Sequence, residues 1–425
     1  MNESQTIKLI FLLLFFNFIL FISAFFMPAW LYSSIMQEHD YTNFNFLSLI
    51  FILICDTSFL AGYVIYKPVV ILRYGLIKKN NRINNLFLIL PIIPFFALSA
   101  YSVFILINKF PSLILSFGTP HAQELRESVS SVQNAMSGAP IILTGVVWWA
   151  IFRLRIAERS TGRRLRYAKL FVFISLGLLT INFLLRMSRM DLIPLYFGCF
   201  INYKYADLVC GFSRKINLIR ATILFVAIGL SVFIVLLLAR GFYGFDSAAN
   251  QIFAYTLASY NRLSAFLLGK LHFSGENSGI YVSSFQGQIP IIKNFFNIYK
   301  VLGQPSIGHA WLDNFHNVAE AGLNYHYTFP TLYGAIFSFF GYYSPVYFFL
   351  FGLFVKQSEN SLSKSRVFGI IFLPLSLFCL LFFFGWNFLL SYEFIALFIA
   401  YIYLEVYETM LGLQVQTFKH LSSNK

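Results

Sequence analysis

A few arginines stand where nothing in the surrounding sequence calls for positive charge. Arg186, Arg189 and Asp191 form the run Arg-Met-Ser-Arg-Met-Asp between two apolar stretches, Arg240 ends a third, and Arg262 follows in a polar segment. Arginine offers a planar fork of N–H donors that matches phosphate oxygens, and it stays charged at any relevant pH. Such a group suits a phosphate or pyrophosphate attached to a lipid. The plainer reading pairs Arg189 with Asp191 and Arg240 with Asp246, or lets each side chain snorkel to an interface.

The polar segment 240–327 also holds Asp313, His309, His316, Glu320 and His326. The histidine spacing matches no zinc pattern, so no metal is expected. His316 or Asp313 suits a general base that takes a proton from a sugar hydroxyl. Tyr260, Asn317, His326 and Tyr327, with Trp311 and Tyr325, are side chains that stack on or hydrogen-bond to saccharides; each also fits an interfacial belt. No nucleotide-binding, P-loop or Ser-His-Asp pattern is present, so no cofactor is expected.

These residues must be held by membrane helices. The chain is 58% hydrophobic and only 11% charged, with mean hydropathy +0.70. Apolar runs of about 20 residues cross about 30 Å of hydrocarbon as helices. The expectation is an all-α polytopic membrane protein, 1–425 as one integral membrane domain, with about ten spans near 9–32, 45–66, 86–108, 138–152, 168–185, 191–203, 220–239, 330–355, 368–384 and 386–407. The first reads as an uncleaved helix rather than a signal peptide. A large outer loop, 240–329, carries helical periodicity over 251–270 and 289–302, read as two amphipathic helices in the membrane interface. Asp56 and Glu393 fall inside spans, where acids line a pathway or find a partner.

The net charge of +14 is distributed by side. With the N-terminus inside, 22 of the 31 Lys and Arg fall on the cytoplasmic side, against six acids, while the outer side is balanced. That is the positive-inside bias, and it places both termini inside and 240–329 outside. The run Arg153–Lys169 then reads as a topology anchor that favours anionic lipid headgroups, not as a nucleic-acid site. Cys55, Cys199, Cys210 and Cys379 lie in spans or an inner loop, so no disulfide framework is suggested.

Three features resemble the O-antigen polymerases (Wzy type): many spans with one dominant late outer loop, the 186–191 run at an outer turn, and Asn324-Tyr-His-Tyr-Thr-Phe-Pro-Thr-Leu-Tyr-Gly334 leading into the eighth span, with Gly341 and Gly352 beyond. The likeness covers mainly 180–355. It departs at Gly334-Ala-Ile-Phe337, where the family carries an acidic residue. The resemblance implies glycosyl transfer at the periplasmic face of a bacterial inner membrane. The donor would be a glycan on undecaprenyl pyrophosphate and the acceptor a lipid-linked repeat unit. Membrane lipids and a chain-length regulator protein would be its partners. Arg189, Arg240 and Arg262 would bind pyrophosphate, with Arg186 in reserve, and His316 or Asp313 would serve the acceptor. An O-antigen ligase shares this architecture. A flippase or other transporter is the rival from another class.

Overall fold

Apolar runs bounded by Asn, Pro and Gly give helices with abrupt ends. The computed structural model describes residues 3–66, 84–109, 138–161, 165–186, 189–210, 250, 252–272, 307–325, 327–383 and 392–411. Its elements are α1 (Glu3–Phe25), α2 (Ala29–Met36), α3 (Phe46–Ile65), α4 (Asn85–Ile89), α5 (Ile93–Lys109), α6 (Ala139–Thr161) and α7 (Arg166–Leu185). They continue with α8 (Arg189–Val209), α9 (Leu257–Leu267), α10 (Ile307–Glu320), α11 (Leu332–Phe340), α12 (Ser344–Ser363), α13 (Val367–Leu381) and α14 (Tyr392–Met410). No strand occurs among the described residues.

Five stretches are long and apolar enough to cross a membrane: Thr6–Phe25, Phe46–Ile65, Ala139–Arg159, Arg166–Leu185 and Leu332–Ser363. The protein is therefore an α-helical membrane protein. The expected spans over 45–66 and 168–185 match α3 and α7 closely. The expected span over 86–108 is split into α4 and α5, because Pro91 and Pro94 lack the N–H that would continue the helix. The expected span at 220–239 and the amphipathic stretch at 289–302 lie outside the described residues.

The stretch Leu332–Ser363 is two helices rather than one span. Gly341 takes a positive φ of 51° and a short 3-10 turn over Gly341–Tyr343 reverses the chain. Tyr333 then stacks on Phe348 at 5.2 Å, and Phe340 on Tyr347 at 5.9 Å, across the fold. Phe337 meets Phe51 of α3, Tyr333 bonds Asp56 one and a half turns further along α3, and Phe351 meets Phe59. Residues 327–331, which are not helical, thus lead down into the bundle and α11 climbs back. At nine residues, α11 is about 14 Å long, too short to cross alone.

Helices α3 and α12 are locked together by reciprocal glycines. A Cβ on Gly62 would collide with the Phe349 carbonyl, and one on Gly352 with the Phe59 carbonyl. Small residues allow such close backbone approach, which is where helix pairs in lipid gain their dispersion contacts.

Helix α9 differs from the interfacial helix expected over 251–270. Every residue from Leu257 to Leu267 is buried. Tyr260 packs on Phe21 of α1, Ser264 pairs with Ser48 of α3 at 2.9 Å, and Leu263 lies against Gly334 of α11. The polar face that would have faced water instead finds protein partners.

Candidate functional site

The polar centre of the molecule is a buried ion pair between Glu38 and Arg262, whose side chains are both 0% exposed. Glu38 follows α2, where Gln37 takes a left-handed φ of 53° and turns the chain. The two residues are 224 apart in sequence. Arg262 Nη1 donates to Glu38 Oε1 and Nη2 to Oε2, each at 2.7 Å. Its other donors reach the carbonyls of Ala258 (2.9 Å), Asn324 (3.0 Å) and Tyr327 (2.5 Å). All five N–H groups of the guanidinium are thereby used. Glu38 also accepts from the Tyr32 hydroxyl, from Asn261 Nδ2 at 3.1 Å and from the Asn324 amide at 2.7 Å.

This hub ties together the 37–45 loop, α9 and the non-helical segment leading into α11. Asn261 strengthens it, donating to the His39 carbonyl at 2.7 Å and accepting from the Tyr41 amide at 2.6 Å. Burial alone would raise the Glu38 carboxyl, but the charge of Arg262 and the hydrogen bonds from Arg262, Tyr32 and the Asn324 amide hold it below the usual carboxylate value. Burial and the Glu38 charge push the Tyr32 phenol well up.

Two residues on, Asp40 is tuned the opposite way. Burial raises it, against the amides of Thr42 and Asn43 that donate to Oδ1 at 2.8 and 3.1 Å. Its Oδ2 is buried without a hydrogen-bond partner. His39 is exposed and sets its ring edge-on to Tyr41 at 4.5 Å. The end of α10 docks here: Val318 and Leu323 pack on Ala265, Phe266 and Leu271, and the Tyr41 hydroxyl donates to the Ala321 carbonyl at 3.0 Å.

The structure describes only some of the candidate residues read from the sequence. Arg262, expected to bind pyrophosphate, has no N–H left to offer in this arrangement; it is the keystone of the hub. Tyr260, expected to touch substrate, is fully buried and donates its hydroxyl to the Asn17 carbonyl at 2.9 Å. His316, expected as a base, is 74% exposed on α10 and meets Glu320 Oε1 at 3.0 Å, one turn on. Asn317 is half-buried on the same helix, and Tyr327 is half-buried with its carbonyl on Arg262. Arg186 caps α7 and donates to Ser102 Oγ at 3.0 Å. Arg240, His326 and the side chains of Arg189 and Asp313 lie outside the described residues. No group of three metal-ligating side chains occurs among the described residues.

Glu38, Asn261 and Asp40 were missed by the sequence reading. The available signal was Glu38-His39-Asp40, three consecutive titratable residues in a short connection between two apolar runs. A buried arginine demands an acid somewhere, and the sequence does not say where.

The opposite end carries its own charges. Arg153 Nε and Nη2 clasp Glu408 at 2.7 and 2.8 Å, with Trp149 Nε1 donating to the same carboxylate at 2.6 Å. Arg155 and Arg159 share Asp207 at 2.8 and 2.9 Å. Tyr63 and Lys356 donate to Glu359 at 2.6 and 3.0 Å. The run expected to serve only as a topology anchor thus also builds ion pairs. No family model matches the chain, and no curated protein or solved structure matches it.

Proposed function

We propose that the chain is a membrane glycosyltransferase that polymerises oligosaccharide repeat units carried on undecaprenyl pyrophosphate. The hub end would face the periplasm, as the charge distribution favours. The observation that carries this reading is how residues 324–331 are held. The stretch that resembles the polymerases is anchored through the Asn324 amide and the Asn324 and Tyr327 carbonyls to a buried ion pair. Irregular backbone beside membrane helices needs such satisfaction, because it is tolerated only where it is buried in protein or lines a water-filled cavity.

In the reaction an acceptor hydroxyl attacks the anomeric carbon of the donor glycan. The bond to the pyrophosphate oxygen breaks, and the leaving group carries away its electron pair. Arg186, Arg189 and Arg240 supply the positive charge that stabilises it. Asp313 or His316 takes the hydroxyl proton; Glu320 beside His316 steadies the imidazolium. Asn317, His326 and Tyr327 contact sugar. A chain-length regulator is the protein partner of this reading, and no cofactor is required.

A transporter of lipid-linked glycans is the second reading, favoured by one observation, the intramembrane Asp56. Electrophoresis of surface glycan from a deletion strain separates the classes. Glycan limited to one repeat unit supports polymerisation; lipid-linked polymer that is never ligated points to a ligase; units retained inside point to transport. Arg189→Ala should abolish long chains while protein stays in the membrane, and a normal ladder from it sinks the assignment.

A further inference from the structure

Asp56 differs from the other paired acids of the bundle. Asp207, Glu359 and Glu408 each have an arginine or lysine nitrogen within 3.0 Å. Asp56 lies ten residues into α3 and, among the described residues, has one hydrogen bond, from the Tyr333 hydroxyl at 2.7 Å. No cation among the described residues pairs with it. Among the described residues, the groups that face it are Cys55 on its own helix, Tyr333 on α11 and Tyr260 on α9, none of them positive. The Tyr333 ring is packed by Phe348 and Phe383, each at 5.2 Å. A neutral hydroxyl cannot cancel a full negative charge, and an uncompensated charge among aromatic rings is strongly disfavoured.

We infer that Asp56 is a proton-carrying site inside the membrane, neutralised by a proton taken from water and able to give it back. The exchange is carboxylate plus proton to carboxylic acid, with no other group consumed. Asp56 is half-buried rather than sealed, so exchange needs only a local opening. Tyr333 carries the consequence. It donates to the charged carboxylate, but the acid form brings a hydroxyl of its own and competes as donor. Proton uptake therefore weakens the bond that ties the first turn of α11 to α3. That turn continues directly from residues 327–331, so the proton couples to the segment held by the hub. The inference is independent of the glycosyltransferase reading.

The test is pH-difference infrared spectroscopy of the full-length protein in lipid nanodiscs. A carboxylic-acid carbonyl band should titrate in the native protein, vanish in Asp56→Asn and shift in Tyr333→Phe. Size-exclusion behaviour and helicity confirm that each variant folds. Should Asp56→Asn fail to fold, Asp56→Glu and Tyr333→Phe provide the same readout through band shifts. A native spectrum with no such band, a band insensitive to both residues, or neutralisation that follows sodium rather than pH would each overturn the proposal. The glycan ladder of the same variants reports separately on polymerisation.

Discussion

The two ends of the bundle both bury charge, but they spend it differently. At the far end, Arg153, Arg155 and Arg159 project from one helix onto acids of α8 and α14. Those helices already satisfy their own backbones, so the ion pairs join finished elements, and only one donor of Arg153 goes to main chain, the Ser365 carbonyl in the turn between α12 and α13 at 2.9 Å. At the hub end, Arg262 spends three of its five donors on main-chain carbonyls, two of them in the non-helical segment before α11. That backbone has no helix or sheet to satisfy it, and in the bundle an unpaired carbonyl is costly. The far end fastens structure; the hub end makes a piece of structure possible.

The largest effect should come from splitting the hub. Glu38→Gln or Arg262→Met removes one partner of a fully buried pair and should cost about 3–5 kcal/mol, read by unfolding in detergent. Proteolysis between 324 and 331 should accelerate in both. The double change Glu38→Met with Arg262→Met should recover part of the stability but not the protection, because the carbonyls stay unpaired. Single changes costing under about 1 kcal/mol would mean that burial of this pair has little energetic consequence.

Arg153→Met breaks the corresponding pair at the far end. Glu408 is 11% exposed there, so water offsets part of the loss and the expected cost is about 2–3 kcal/mol. Protection of 324–331 should not change. If it does, the two ends are coupled and the contrast between them fails.

Acid should sharpen the difference further. The folded value of Glu38 lies below its unfolded value, near 4.5. Its contribution is therefore fully present above the unfolded value and lost as pH falls through the lowered folded value. The native protein should lose stability steeply in that window, and Glu38→Gln should lack this limb. Asp40 has the opposite sign: its raised folded value makes ionisation oppose folding, so Asp40→Asn should leave stability at neutral pH unchanged or slightly higher.

The smallest effect belongs to the rim. His316 and Glu320 are 74% and 65% exposed, and His316→Ala should change stability by no more than about 0.5 kcal/mol. A strong loss of long glycan from this variant, with stability intact, would support His316 as the base.

Local patterns were legible where one helix face or one breaker decides the outcome. The Asn45 cap and the apolar run after it mark α3, and the runs that became α7 and α8 were placed within a few residues at their starts. Pro91 and Pro94 carried a visible signal that should have split the third span. The periodicity over 251–270 correctly indicated a helix and misjudged its surroundings. Asn261, Arg262 and Ser264 look like a wet face until Tyr41, Glu38 and Ser48 are brought against them.

By itself, the sequence determined the membrane class, much of the helix placement and the asymmetry of charge. Each follows from composition or from contacts within about one turn of chain, which any stretch carries with it. The tertiary structure alone decided that α9 is enclosed, that Leu332–Ser363 folds back at Gly341, that Arg262 is paired with Glu38 and that the Tyr333 hydroxyl reaches Asp56. Those outcomes depend on partners far apart in sequence, and no local pattern in one segment encodes which distant segment will satisfy its charge.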